Sequence, residues 1–252
     1  MTRNLTHLMV YKTESFGMSD VGFIRKNNED VFATISEKQF FILADGMGGH
    51  NAGEVAASEA VAKVCQSVRE IPLTSIEQTS QLLREAVEVA NERIWKMAQR
   101  DSKLFGMGTT LSCFLIQEEH LVYAHVGDSR LYRFRKGVLE QLSLDHSLRS
   151  SLIAQQVLDE KSSVNFPYKN VITKALGSGL YVLPDIGILS ILNNDLYFLC
   201  SDGLTDLVSD EEIRDIISQE LLVQQIVQIL IHTALEKGGS DNITVLMVRV
   251  NE

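Results

Sequence analysis

No stretch of this 252-residue chain approaches about 18 uninterrupted apolar residues, and its opening, MTRNLTHLMVYKTESFGMSD, carries no continuous apolar segment of the signal-peptide kind. Those two absences argue against a helical membrane span and a secretory leader, so a soluble, cytoplasmic protein is expected. Proline is scarce, at 3 residues beside 16 glycines, and 45% of the chain is hydrophobic, which excludes a low-complexity chain and suffices for a buried core. Basic residues are outnumbered, 23 Lys and Arg against 33 Asp and Glu, for a net charge of -10. No basic footprint exists for nucleic acid or an anionic membrane surface, and neither is expected as a partner. Cysteine is sparse too. Cys65, Cys113 and Cys200 are odd in number, far apart and set among apolar residues, which excludes a disulfide framework or zinc cluster and suits small buried hydrophobes.

What the chain does contain is a series of apolar runs: FFILA (40–44), TTLSCFLI (109–116), HLVYAHV (120–126), RLYRF (130–134), DLYFLC (195–200) and ITVLMVRV (243–250). Several are nearly continuous in apolar character, as strands covered on both faces must be. Helical stripes lie between them, with Ala57, Val61, Val64 and Val68 on one face of 54–69 and Leu83, Val87, Ala90 and Ile94 on one face of 75–100. Later helices are expected over 210–219 and 221–236, the second with Leu222, Ile226, Ile229 and Leu230 as its stripe. Helices arriving in pairs around runs of strands point to an α+β layered sandwich with mainly antiparallel sheets rather than a doubly wound parallel fold. HLVYAHVGDSRLYRF reads as a hairpin turning at Gly127-Asp128-Ser129, and 143–170, the least regular part, as a surface insertion. A single domain over 1–252 is expected.

Four of these runs meet an aspartate within two residues of a glycine. FFILAD ends on Asp45, LVYAHVGD on Asp128 and LYFLCSD on Asp202, while GGSDNITVLMV places Asp241 just before its strand. Any one of them could be an ordinary turn, since Asp bonds its own backbone and Gly supplies positive φ. Four together are explained poorly that way. If the strand ends converge, four carboxylates without a lysine or arginine inside the motifs repel one another, and a divalent cation is the natural counter-charge. Oxygen donors favour Mg²⁺ or Mn²⁺ over zinc, and Gly46 could bring a backbone carbonyl to the ion. Neither G-x-G-x-x-G nor a Walker A pattern occurs in GMGGHNAG or elsewhere. Arg25, in RKNNED, belongs to a mixed-charge stretch of the kind that is usually a solvated loop, yet a guanidinium near a metal site can bind two phosphate oxygens at once. His50, five residues after Asp45 in the same glycine-rich turn, stands out among the six histidines as a candidate acid near neutral pH.

Taken in order, RKNNED (25–30), DGMGGHNAGEVAA (45–57), MGTT (107–110), VGDSRLY (126–132), LDHS (144–147), NVITKALG (170–177), CSDGLTD (200–206) and GGSDNIT (238–244) resemble the metal-dependent serine/threonine protein phosphatases of type 2C, in their bacterial form. The resemblance implies a four-layer αββα sandwich and hydrolysis of phosphoserine and phosphothreonine by direct attack of a metal-bridging hydroxide, opposing Ser/Thr kinase signalling. It implies two Mn²⁺ or Mg²⁺ ions, with Asp45 bridging them, Gly46 offering its carbonyl to one, and Asp202 and Asp241 binding the other. Glu29 and Asp30 would act through metal-bound water, and Asp128 would join Asp202 at a third metal position. Arg25 would clamp the substrate phosphate and His50 would serve as general acid, because Met47 stands where many eukaryotic members have a histidine. Thr109, Thr110, Ser129 and Arg130 would orient the aspartates. The partners implied are phosphorylated proteins, met by a monomer whose 143–170 insertion forms a flap beside the cleft. Lys174, Phe166 and LDEKS (158–162) depart from the bacterial pattern there. A module of the same fold that only bound a partner would have lost its metal aspartates, and Asp45, Asp202 and Asp241 are all present.

Overall fold

A computed structural model describes residues 11–48, 52–72, 74–159, 166–168 and 171–252. In chain order the elements are β1 (Lys12–Asp20), β2 (Asp30–Ile35), β3 (Phe40–Met47), α1 (Ala52–Glu70), α2 (Ile76–Arg100), β4 (Gly108–Thr109), β5 (Leu111–Gln117), β6 (His120–Val126), β7 (Arg130–Arg135) and β8 (Val138–Gln141). There follow α3 (Leu148–Ala154), β9 (Asp185–Ser190), β10 (Leu196–Cys200), α4 (Asp202–Thr205), α5 (Asp210–Ile217), α6 (Val223–Glu236) and β11 (Ile243–Asn251). Among the described residues the strands form two sheets, ordered β1-β11-β10-β7-β8 and β2-β3-β5-β6-β9, with β4 beside β3 and antiparallel pairing throughout.

The near-continuous apolar strands are explained by what covers each face. On β3, Phe40, Ile42 and Ala44 pack with Ala57, Val64, Leu83 and Ile94 of α1 and α2, whereas Phe41 and Leu43 point into the space between the sheets. β11 divides the same way. Val245 and Met247 meet α5 and α6, while Leu246, Val248 and Val250 join Phe41, Phe114 and Tyr197 between the sheets. Alternate side chains therefore enter different cores, and a polar residue on either face would leave water without leaving the protein. The result is the α+β four-layer αββα sandwich. α2 begins where Ser75 Oγ accepts the Gln78 amide at 3.3 Å, and α5 begins with a capping box between Ser209 and Glu212.

Several expectations need correcting. The run 120–134 is not a hairpin: β6 lies between β5 and β9 in one sheet, and β7 between β10 and β8 in the other. Period-two alternation marks a strand without naming its partner, and Gly127, at φ 110°, carries the chain from sheet to sheet. A Cβ there would come within 2.6 Å of the Thr110 side chain, so the crossover hugs β5 and delivers Asp128 to the sheet ends. The run 109–116 is two strands, broken at Thr110, whose amide bonds the Asp45 carbonyl at 2.9 Å. In α6, Leu222 is 60% exposed as the N-cap, and the buried stripe is Val223, Ile226, Val227, Leu230, Ile231 and Ala234. The 143–170 region contains the helix α3. All three cysteines are buried and free, as expected of small hydrophobes. Among the described residues, no helix is long and apolar enough to cross a membrane.

Candidate metal centre

At the ends of the sheets a cleft of about 300 Å³ is lined by Arg25, Glu29, Asp45, Gly46, Asp128, Asp202 and Asp241. Each carboxylate comes from a different place in the fold. Asp45 is near the end of β3, Glu29 precedes β2, Asp128 sits on the β6–β7 crossover, Asp202 opens α4 after β10, and Asp241 precedes β11. A larger cavity of about 840 Å³ lies along α2, lined by Glu85, Glu88, Tyr181 and Leu183 among others, and contains none of the sequence-predicted site residues. Size alone does not mark the site; the aspartates do.

The cleft is held by polar groups that reach across the sandwich. Asp30, paired with Asp45 in the β2–β3 register, is buried beneath the site. Its Oδ2 accepts from Ser201 Oγ and from Thr244 Oγ1, each at 2.7 Å, so one carboxylate ties β2 to β10 and β11 in the opposite sheet. Asp45 is fixed from the other side. Its amide donates to Thr110 Oγ1 at 2.9 Å, Thr109 Oγ1 donates to its carbonyl at 2.8 Å, and Thr110 Oγ1 shares a 2.7 Å bond with Ser129 Oγ. Asn242 joins two loops: its Oδ1 accepts the Glu29 amide at 2.8 Å, and its Nδ2 donates to the Val21 and Asn27 carbonyls at 3.0 Å. Gly46 and Gly53 allow this crowding. A Cβ on Gly46 would fall 2.2 Å from the Gly53 carbonyl oxygen, and one on Gly53 would fall 2.3 Å from Glu29 Oε2.

Gathering acids in a cleft raises their affinity for protons. Burial, followed by the charges of Asp30, Asp202 and Asp128, lifts the Asp45 carboxyl well above the usual range. Asp202 is pushed up to about 8 by burial and then by Asp128 and Asp241, and burial brings Asp30 and Asp128 to about 6. Glu29 moves up as well, chiefly by burial. Such a cluster is unfavourable unless protonated or matched by positive charge. Arg25 provides some of that charge, since its Nη2 meets Asp241 Oδ2 at 2.6 Å. The aspartate motifs themselves contain no cation, and Arg25, expected near the site as a phosphate clamp, also pairs with Asp241, a contact that the sequence could not show.

The donor set fits hard divalent ions. It is composed of carboxylate oxygens with a closely approached glycine backbone, and among the described residues Asp30 Oδ1 and Asp128 Oδ1 are buried without a hydrogen-bond partner. Among the described residues no group of three or more His, Cys, Asp or Glu side chains is arranged to enclose an ion unaided. Mg²⁺ commonly keeps several waters and takes one or two carboxylates, which suits an open cleft of this kind. Asp128 and Asp202 also line a small neighbouring cavity of about 30 Å³, together with Asp145 and Asp206 and with the cationic Arg130 and Arg149.

The remaining candidates are placed as follows. His50 lies outside the described residues. His125 is buried, with Nδ1 2.8 Å from Ser112 Oγ and Nε2 3.1 Å from the Leu144 carbonyl, and burial lowers it to about 4. Among the described contacts Arg130 makes no hydrogen bond to a site aspartate; it grips both oxygens of Asp145 at 2.7–3.1 Å, and its charge favours ionised Asp128. Lys174 Nζ reaches Asp185 Oδ1 and His146 Nε2, each at 3.0 Å, and His146 Nδ1 accepts the Gly127 amide at 3.0 Å. Phe166 stands edge-on to Tyr168, at 5.9 Å between ring centres. Asn242, Ser201 and Thr244 are site-building residues that sequence reasoning overlooked. Their signal was position, each being a polar residue within or at the foot of a buried strand end.

A model of the protein phosphatase 2C family matches residues 11–243. Protein phosphatase PhpP of Streptococcus pneumoniae is 35% identical over 238 residues, spanning 93% of this chain and 96% of that protein. The serine/threonine phosphatase stp of Listeria welshimeri is 37% identical over 237 residues, spanning 92% and 94%. Among solved structures, the serine/threonine phosphatase PstP/Ppp of Mycobacterium tuberculosis superposes with a TM-score of 0.89 at 34% identity, covering 95% of this chain and 99% of that one. A PstP catalytic domain in complex with two manganese ions gives a TM-score of 0.87 at 34% identity, covering 96% and 100%.

Proposed function

The chain belongs to the protein phosphatase 2C family of protein-serine/threonine phosphatases, and from that premise we propose that it removes phosphate from phosphoserine and phosphothreonine in proteins and so opposes Ser/Thr kinases. The observation that carries this reading is the meeting of Asp45, Asp128, Asp202 and Asp241 in one cleft with Arg25 at its rim. Asp45, Gly46, Asp202 and Asp241 would hold two divalent ions, Mn²⁺ or Mg²⁺, with Asp45 shared between them and Asp128 and Asp202 providing a third position. A solved relative holding two manganese ions supports that count. When bound, such ions activate water for in-line attack at phosphorus and offset the charge that develops there, so no covalent phosphoenzyme is required.

The chain's own residues do the rest. Arg25 presents a planar fork able to take two phosphate oxygens, and its 2.6 Å approach to Asp241 places that fork at the cleft mouth. Asn242 sets its position by tying the Asn27–Glu29 turn to the Asp241 loop. Glu29 and Asp30 would act on water in the outer shell, Asp30 being oriented by Ser201 and Thr244. Thr109 and Thr110 hold the backbone that presents Asp45. We assign to His50 the protonation of the leaving serine or threonine oxygen. A single catalytic domain over 1–252, a 143–170 flap that shapes substrate choice, and action as a cytoplasmic monomer complete the reading.

Purified protein should release phosphate from a phosphothreonine peptide when Mn²⁺ is supplied, and should lose that activity with a chelator and in Asp202→Ala. Turnover that survives metal removal would sink the mechanism, and turnover confined to small phosphomonoesters would sink the phosphoprotein assignment.

A further inference from the structure

Beside the metal cleft lies a second cavity of about 200 Å³, walled mainly by Met47, Trp95, Phe105 and Met107, with Gln99 and Ser178 as its polar side chains. Met47 lines both cavities, so the two are neighbours across one side chain. Its placement is built in: Met47 pairs with Gly108 in the β3–β4 register, and Met47 Cε lies 3.4 Å from where a Gly108 Cβ would stand. The tighter limit at Gly108 is backbone, since its Cβ would stand 3.0 Å from the Leu176 carbonyl oxygen.

The second cavity differs from the cleft in chemistry. None of the described residues lining it is charged, in a chain whose net charge is -10. Its floor is apolar and buried, with Met107 1% and Ala98 4% exposed, whereas Phe105 at the rim is 75% exposed. A phenyl ring left in water beside an indole and a flexible thioether is an unsatisfied apolar surface of the kind that accepts a ligand group. The frame is preformed. Gly177, at φ 84°, packs against Ile94 and the Met107 carbonyl, its amide donates to Asn91 Oδ1 at 2.8 Å, and Leu176 bonds Thr109 in both directions at 2.9 and 3.1 Å.

We propose that this pocket is a substrate subsite that receives one apolar side chain, of the Leu, Ile, Met or Phe class, carried within about three residues of the phosphorylated Ser or Thr. The inference rests on the phosphatase reading and deepens it. A peptide whose phosphate occupies the cleft and whose chain leaves across Met47 passes directly over the opening. The cavity has room for a side chain and not for a folded partner, and its lack of charge selects the apolar class.

The test uses the full chain and phosphothreonine peptides in an alanine and serine background, with one leucine moved through each position from three before to three after the phosphoresidue. At one position leucine should lower KM about ten-fold, the order expected for burying one aliphatic side chain, with kcat little changed. Trp95 is the only tryptophan, so titration with that peptide should shift the protein's emission, and the all-alanine peptide should not. Phe105→Ala should bring the ratio of the two KM values close to one, and Phe105→Leu should retain most of it. The proposal is overturned if KM is indifferent to leucine at every position, if the ratio survives Phe105→Ala, or if Trp95 responds equally to both peptides. Failure of every peptide to turn over, with a small aryl phosphate still hydrolysed, would overturn the phosphoprotein reading instead, and the Trp95 titration would then decide the pocket by itself.

Discussion

Replacing Asp202 with Asn should stabilise the metal-free protein, because a buried carboxylate among other carboxylates opposes the fold, and should abolish activity if Asp202 holds an ion as proposed. Burial and the neighbouring Asp128 and Asp241 raise Asp202 from the ordinary 3.8 to about 8. A carboxyl whose folded pKa is raised takes up protons on folding, so its favourable contribution is complete below about pH 4 and is lost as pH rises towards 8. At pH 7 the accumulated penalty is roughly 4 kcal/mol at 1.36 kcal/mol per pKa unit. Water enters the cleft and screens part of it, leaving about 2–4 kcal/mol. Asn has the same shape and does not titrate in this range. Urea unfolding with chelator present, at intervals from pH 4 to 8, should show Asp202→Asn matching wild type near pH 4 and exceeding it by about 2–4 kcal/mol at pH 7, with an unchanged m-value. An Asn variant less stable than wild type at pH 7, or an advantage that does not grow with pH, would refute the reasoning.

Two further perturbations probe the scaffold. Thr110→Val removes the hydroxyl that accepts the Asp45 amide and meets Ser129, and should cost about 1–3 kcal/mol in urea unfolding and weaken Mn²⁺ binding about 10–100-fold by titration calorimetry. Asn91→Ala strips the bonds to the Gly177 amide and to the Gly179 and Leu180 carbonyls, all at 2.8–3.1 Å. It should lower stability by about 2–3 kcal/mol while leaving Mn²⁺ affinity within about two-fold, since it touches no site carboxylate.

The site was legible in the sequence to the extent that its chemistry was local. A strand ending in Asp beside Gly is visible residue by residue, and Asp45, Asp128, Asp202 and Asp241 do line one cleft. Longer-range relations were not visible. Nothing in Gly127-Asp128-Ser129 says that the chain changes sheets there, because a crossover and a hairpin use the same turn residues. β1, KTESFGMSD, was missed because it is an edge strand carrying charges and a glycine, and its inward Phe16 and Met18 are too few to set a pattern. Asn91, beside Ala90 on the buried side of α2, carries no signal in the sequence; in the folded chain it holds the 177–180 turn. Arg25, readable as a phosphate ligand from its chemistry, is also an ion-pair partner of Asp241, which only the folded chain reveals.

Anomalous scattering at the manganese edge, from crystals of the protein grown with Mn²⁺, tests the central claim directly. At least two peaks should appear in the cleft, one against Asp45 and the Gly46 carbonyl and one against Asp45, Asp202 and Asp241, with any third against Asp128 and Asp202, and the peaks that use Asp202 should vanish in Asp202→Asn. A cleft without manganese, or manganese bound only away from these aspartates, would contradict it.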